Sequence, residues 1–147
     1  MKNTIIPLPF KFNLIYDFLR CGIVGWCFEI IFTSFKSLLK HEMKLMGQTS
    51  LWMFPIYGSA ALFKPFFMLL HNKNFFFKGL IYAISIFTGE FFSGYVLTLK
   101  NVCPWNYSNS RWNIKGLIRL DFLPCWFIAG IIFEHLLVSS KSHGINC

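Results

Sequence analysis

Ionisable side chains stand inside each otherwise apolar stretch of this 147-residue chain, among them Glu29, Lys64, Glu90 and Glu134. A charge in hydrocarbon costs about 2.5 kcal/mol or more unless it is paired, neutralised or turned to a wet cavity. Three kinds of chemistry would justify them: a polar network that holds helices together, a path for protons or solutes, or acid–base work within the membrane.

Their neighbours sharpen the choice. On a helix advancing about 100° per residue, Gly22, Gly25, Trp26, Glu29 and Thr33 fall on one face. Small residues there let a neighbouring helix approach and supply Glu29 with a partner. Ala83, Ile86, Glu90, Ser93 and Gly94 repeat the pattern, with Glu90 near the middle of its stretch. Gly130 and Glu134 are spaced i, i+4 near the end of the last stretch, with His135 beside them. There a long side chain can reach the headgroup region. Lys64 precedes Pro65 in a stretch that also carries Pro55 and Gly58. Proline bends such a helix, and the bend could set the ammonium against Glu29 or Glu90.

Several chemistries find no support. His135 has no second histidine within an apolar stretch to complete a metal or haem site. No Ser-His-Asp order and no G-x-x-x-x-G-K-[ST] phosphate loop occurs, so no cofactor is expected and the reading leans away from an enzyme. The 14 Lys and Arg outnumber the six Asp and Glu, giving a net charge of +8. They are scattered beside the apolar stretches, which fits anionic lipid headgroups and not nucleic acid. Of five cysteines, Cys21, Cys27 and Cys125 fall within apolar stretches, where buried free thiols are the expectation.

The elements that must position these residues follow from composition. With 55% hydrophobic and 14% charged residues, 19 Phe and five Trp, the chain reads as an integral membrane protein. A spanning helix needs about 20 mostly apolar residues. Stretches 14–35, 51–70, 75–99 and 122–138 meet that length. The expected fold is all-α, a bundle of about four transmembrane helices forming one multi-pass domain over residues 1–147. The segment 101–120, rich in Asn, Trp and Ser, is expected to be an interfacial or re-entrant loop between the third and fourth helices. In the re-entrant form, Pro104 to Ser108 would fold back over the cleft that holds Glu90. Four short spans enclose little, so a homo-oligomer or a larger membrane complex is expected.

Five ordered motifs then suggest a family: "GWCFEI" (Gly25 to Ile30), "PIYG" (Pro55 to Gly58), "GEFFSG" (Gly89 to Gly94), "CPWNYS" (Cys103 to Ser108) and "NIKGLIRLDFLPCW" (Asn113 to Trp126). Together they resemble the bacterial membrane proteins named Putative ABC-transporter type IV, or CmpB-like, and the animal transmembrane protein 229 family. The resemblance implies a shared core of Gly25, Trp26, Glu29, Pro55, Tyr57, Gly58, Glu90, Gly94, Trp105, Tyr107, Ser108, Asn113 and Gly116. It departs at Asn106, where relatives typically carry Asp; Asn keeps the shape and the acceptor but cannot exchange a proton.

What the resemblance implies for function is a permease-like subunit in the cell membrane, of unstated substrate, with any ATP-binding subunit on a separate chain. Two alternatives stand beside it. One is a small intramembrane enzyme acting on lipid or lipid-linked groups; the other is a non-enzymatic interaction or regulatory module.

Overall fold

The computed structural model describes residues 9–138, with side chains from Leu14 onward. The ends of the expected 1–147 domain therefore lie outside the described residues. The described residues are mainly helical, with one two-stranded hairpin among them. Four helices are long and apolar enough to cross a membrane: Leu14–Leu39, Met53–Leu70, Phe75–Leu99 and Leu120–Val138. These match the four stretches expected from the sequence. Large side chains such as Ile31, Phe92 and Ile128 are exposed along them, as lipid-facing positions require. By contact the chain divides into two compact units, Met1–Phe63 and Lys64–Cys147.

The first unit holds α1 (Pro9–Leu39), α2 (Met53–Gly58) and a 3-10 turn, Ser59–Phe63. Proline at the first position of α1 sacrifices only an N–H that has no intrahelical acceptor there. The helix closes on His41, whose φ of 60° is left-handed. His41 N–H donates to the Leu38 carbonyl at 2.9 Å and Glu42 N–H to that of Ser37 at 2.9 Å. This is the paired bonding that satisfies the last carbonyls of a helix. α1 and α2 meet through glycines. A Cβ on Gly22 would lie 2.7 Å from the Phe54 ring, one on Gly58 would lie 2.7 Å from the Phe18 ring, and one on Gly25 would enter the Tyr57 ring. Each glycine is thus the socket for an aromatic knob from the other helix.

The third apolar stretch of the sequence is one helix, but the second is broken. Pro65 has no N–H to give the Ala61 carbonyl and its ring crowds that group. The α ladder tightens into the 3-10 turn Ser59–Phe63 just before it, and α3 (Lys64–Leu70) resumes with Pro65 in its first turn.

The second unit contains α3, α4 (Phe75–Leu99) and α5 (Leu123–Val138), with a short antiparallel hairpin between α4 and α5. Asn74 caps α4, its side-chain oxygen accepting from Phe76 N–H at 3.1 Å. Asn101 ends it with a φ of 55°, a conformation asparagine tolerates better than most residues. α4 and α5 also pack through glycines, Gly79 against Phe127 and Gly130 against Tyr82. Tyr82 in turn lies 4.8 Å from Phe67 of α3, ring centre to ring centre. The hairpin pairs Asn113 with Arg119 and Ile114 with Ile118.

Candidate functional site

In the first unit, the face of α1 singled out from the sequence carries a strap. The segment from Met46 to Ser50 runs back along the helix, bonded to it at successive turns. Ser37 Oγ donates to the Met46 carbonyl at 3.3 Å, and Thr33 Oγ1 accepts from Gln48 N–H at 2.8 Å. Thr49 Oγ1 donates to Glu29 Oε2 at 2.6 Å, and Trp26 Nε1–H donates to the Ser50 carbonyl at 3.1 Å. The spacing 26, 29, 33, 37 is one residue per turn on one face. Gly47 makes the close fit possible, because a Cβ there would lie 2.5 Å from the Ile30 carbonyl oxygen. Glu29 therefore takes its hydrogen bond from a loop hydroxyl.

In the second unit, Glu134 is only 3% exposed. Its Oε1 lies 2.7 Å from His71 Nδ1, and Lys78 Nζ lies 2.9 Å from Oε1 and 2.9 Å from Oε2. Because a carboxylate only accepts, the ionised form requires the hydrogen of His71 on Nδ1. Lys78 also donates to the His71 carbonyl at 3.3 Å. Glu134, expected to reach toward the headgroups, is held by these partners one turn from the end of α5. The carboxylate stays buried, and His71 from the loop between α3 and α4 and Lys78 from the start of α4 reach it. Tyr82, one turn beyond Lys78, is 1% exposed, and its hydroxyl has no hydrogen-bond partner among the described residues. His135, next in sequence to Glu134, is exposed.

Glu90 is half-buried on α4, and Lys64 is half-buried at the start of α3. One turn beyond Glu90, Gly94 receives the α4–α5 loop: a Cβ there would lie 3.0 Å from the Trp105 ring and 3.2 Å from Leu117. Trp105 Nε1–H donates to the Leu117 carbonyl at 3.0 Å. Gly94 is five residues short of the helix end at Leu99, so Trp105 lies alongside α4 by roughly 7 Å. Trp112, in the same loop, is 62% exposed.

The loop is built from the motif residues themselves. Asn106 Oδ1 accepts from Ser108 N–H at 2.9 Å and from Ser108 Oγ at 2.6 Å, a side-chain turn that needs only an acceptor. Tyr107 N–H donates to the Gly116 carbonyl at 2.8 Å, and Gly116 N–H donates to Asn113 Oδ1 at 2.9 Å. Asn113 Nδ2 donates to the Ser110 carbonyl. Gly116 has φ +68°, and a Cβ would lie 2.5 Å from Ser108 Oγ. Lys115 and Gly116 both have positive φ, as the tight turn of a two-stranded hairpin demands. Arg119 bonds Asp121 through two nitrogens. That hydrogen bonding holds its guanidinium above its ordinary range, and it stacks 4.4 Å over Phe122.

Sequence reading missed the partners. His71 looks like an ordinary loop residue and Lys78 like a charge at the start of a span, and only folding brings them to Glu134. Asp17, 2% exposed, left a signal in its spacing from Cys21 and Gly25, both buried on the same face. Among the cysteines, Cys21 is buried, but Cys27 and Cys125 are exposed, against the expectation of buried thiols. An uncharged thiol on a lipid-facing surface carries little desolvation cost. Among the described residues no group of three His, Cys, Asp or Glu could hold a metal ion.

Compared with known proteins, residues 16–145 match the family described as Putative ABC-transporter type IV. No solved structure matches the chain.

Proposed function

The chain belongs to the Putative ABC-transporter type IV family, and from that premise we propose that it serves as a permease-like subunit passing a solute across the cell membrane. The family match over residues 16–145 carries this reading. Polar and charged side chains on helices otherwise apolar enough to cross a membrane support it: Glu29 in the first unit, and Lys64, Glu90 and Glu134 in the second. Such groups in spanning segments mark solute and ion paths more often than chance.

The chain carries no phosphate-binding loop, so energy from ATP would come from a separate ATP-binding subunit. In this reading the permease assembles with further copies or partner chains, because four short helices enclose too little space for a solute path.

The test is uptake in a deletion strain complemented with wild type or with Glu90→Gln. The expected outcome is a solute whose uptake falls at least tenfold on deletion and is not restored by Glu90→Gln. Uptake that is unchanged by deletion across a broad panel would overturn the reading.

A further inference from the structure

The first loop lies between the spans that end at Leu39 and begin at Met53, and its outer surface is unlike that of a loop meant for water. Met43 is 81% exposed and Leu51 79% exposed, and Leu45, Met46 and Trp52 are exposed in the same segment. Loop 71–74 is the contrast, exposed throughout and made only of His, Asn and Lys. Large apolar side chains gathered in one loop mark a contact surface.

The shape of the first loop is fixed from within. Lys40 N–H donates to the Ser37 carbonyl at 3.1 Å, Leu45 N–H donates to the Glu42 carbonyl at 3.2 Å, and Ser37 Oγ closes the turn on the Met46 carbonyl. Leu45 has a φ of 47°, a left-handed conformation that a bulky side chain keeps only where its surroundings hold it. These bonds meet main-chain needs that water would otherwise meet, so the turn can lie against something other than water.

Charge names the partner. Lys36, Lys40 and Lys44 stand in residues 36–52 against a single acid, Glu42, and Lys40 and Lys44 are exposed. Ammonium groups on long stems among Met, Leu and Trp suit the boundary of a bilayer, where stems and apolar side chains enter the acyl edge and the charges meet phosphates. A span leaves each end of the loop, so that boundary is always within its reach. We propose that the first loop lies on the membrane surface and binds anionic phospholipid headgroups through Lys40 and Lys44, with the apolar side chains from Met43 to Trp52 at the acyl edge. This contact goes beyond the permease reading and does not rest on it.

Spin-label accessibility tests it. Full-length protein, its native cysteines replaced by serine, carries a nitroxide at Met43→Cys or, as the reference, at Asn72→Cys. Each is placed in bilayer discs, one copy per disc, of phosphatidylcholine alone or mixed with phosphatidylglycerol. The readout is collision with lipid-soluble oxygen relative to collision with a neutral, water-soluble nickel chelate. In mixed discs that ratio is expected to be at least about threefold higher at position 43 than at position 72. It should fall by about half or more in phosphatidylcholine alone, and likewise on Lys40→Gln with Lys44→Gln, because the headgroup attraction is then gone. Nickel access as free at 43 as at 72 in mixed discs would put the loop in water and overturn the proposal. A high ratio that neither the lipid nor the lysines change would show apolar contact without headgroup recognition, and would overturn it too.

Discussion

Glu134 carries a formal charge into a place that water scarcely reaches, and Lys78 and His71 make that tolerable. Lys78 is 14% exposed at its side chain and His71 is 53% exposed, so the cluster grades from buried carboxylate to surface ring. Removing one partner of such a pair costs about 3–5 kcal/mol, whereas replacing both by apolar groups of similar size is often neutral. Lys78→Met is therefore expected to lower the detergent melting temperature sharply, and Lys78→Met with Glu134→Met to recover most of the loss. A double variant as unstable as the single one would argue that Glu134 has further obligations. Asn106 illustrates the opposite case. Its oxygen accepts two hydrogen bonds from Ser108, and the turn uses no acidic proton, so an amide makes it as well as a carboxylate would.

Helix contacts in both units rest on glycine sockets filled by aromatic rings. Within the first unit the tightest is Gly25 against Tyr57, where even one methyl group would enter the ring. Overpacking of this kind costs about 1–3 kcal/mol. Gly25→Ala is expected to destabilise by that amount in thermal or denaturant unfolding, because the added methyl meets Tyr57 at its Cβ and Cγ. Gly89 is a useful contrast, since nothing lies within 4 Å of a Cβ placed there. Gly89→Ala should stabilise by about 0.5–1 kcal/mol in the same assay, since alanine loses less backbone freedom in a helix. The strap obeys similar logic, because Gly47 lets backbone lie on backbone.

Across the whole chain the four apolar helices set the topology. The loop 71–74 and the loop 100–112 flank the 25-residue α4, about 37 Å long at 1.5 Å per residue. They must emerge on opposite sides of a bilayer whose core is about 30 Å thick. Single cysteines in place of Asn74 and Asn109, both exposed, are therefore expected to react with an impermeant reagent from opposite sides. Reaction of both from one side would mean that α4 does not cross.

The number and rough limits of the spans, the lipid-facing aromatic surface, the inward stripes on α1 and α4 and the membership in a membrane-protein family were all legible in the sequence. They depend on local composition and helical period, and the bilayer enforces both uniformly. Tertiary structure decided the partners. Glu29 meets Thr49 and Glu134 meets His71 and Lys78 across sequence gaps of 20, 63 and 56 residues. Hydrogen-bond partners at such separations depend on loop paths, and a loop path is set by where glycine lets backbone approach and where a left-handed residue turns it. The same reason explains why the strap beside α1 was not foreseen: "MGQTS" reads as an ordinary polar connection until Gly47 is seen lying on the Ile30 carbonyl.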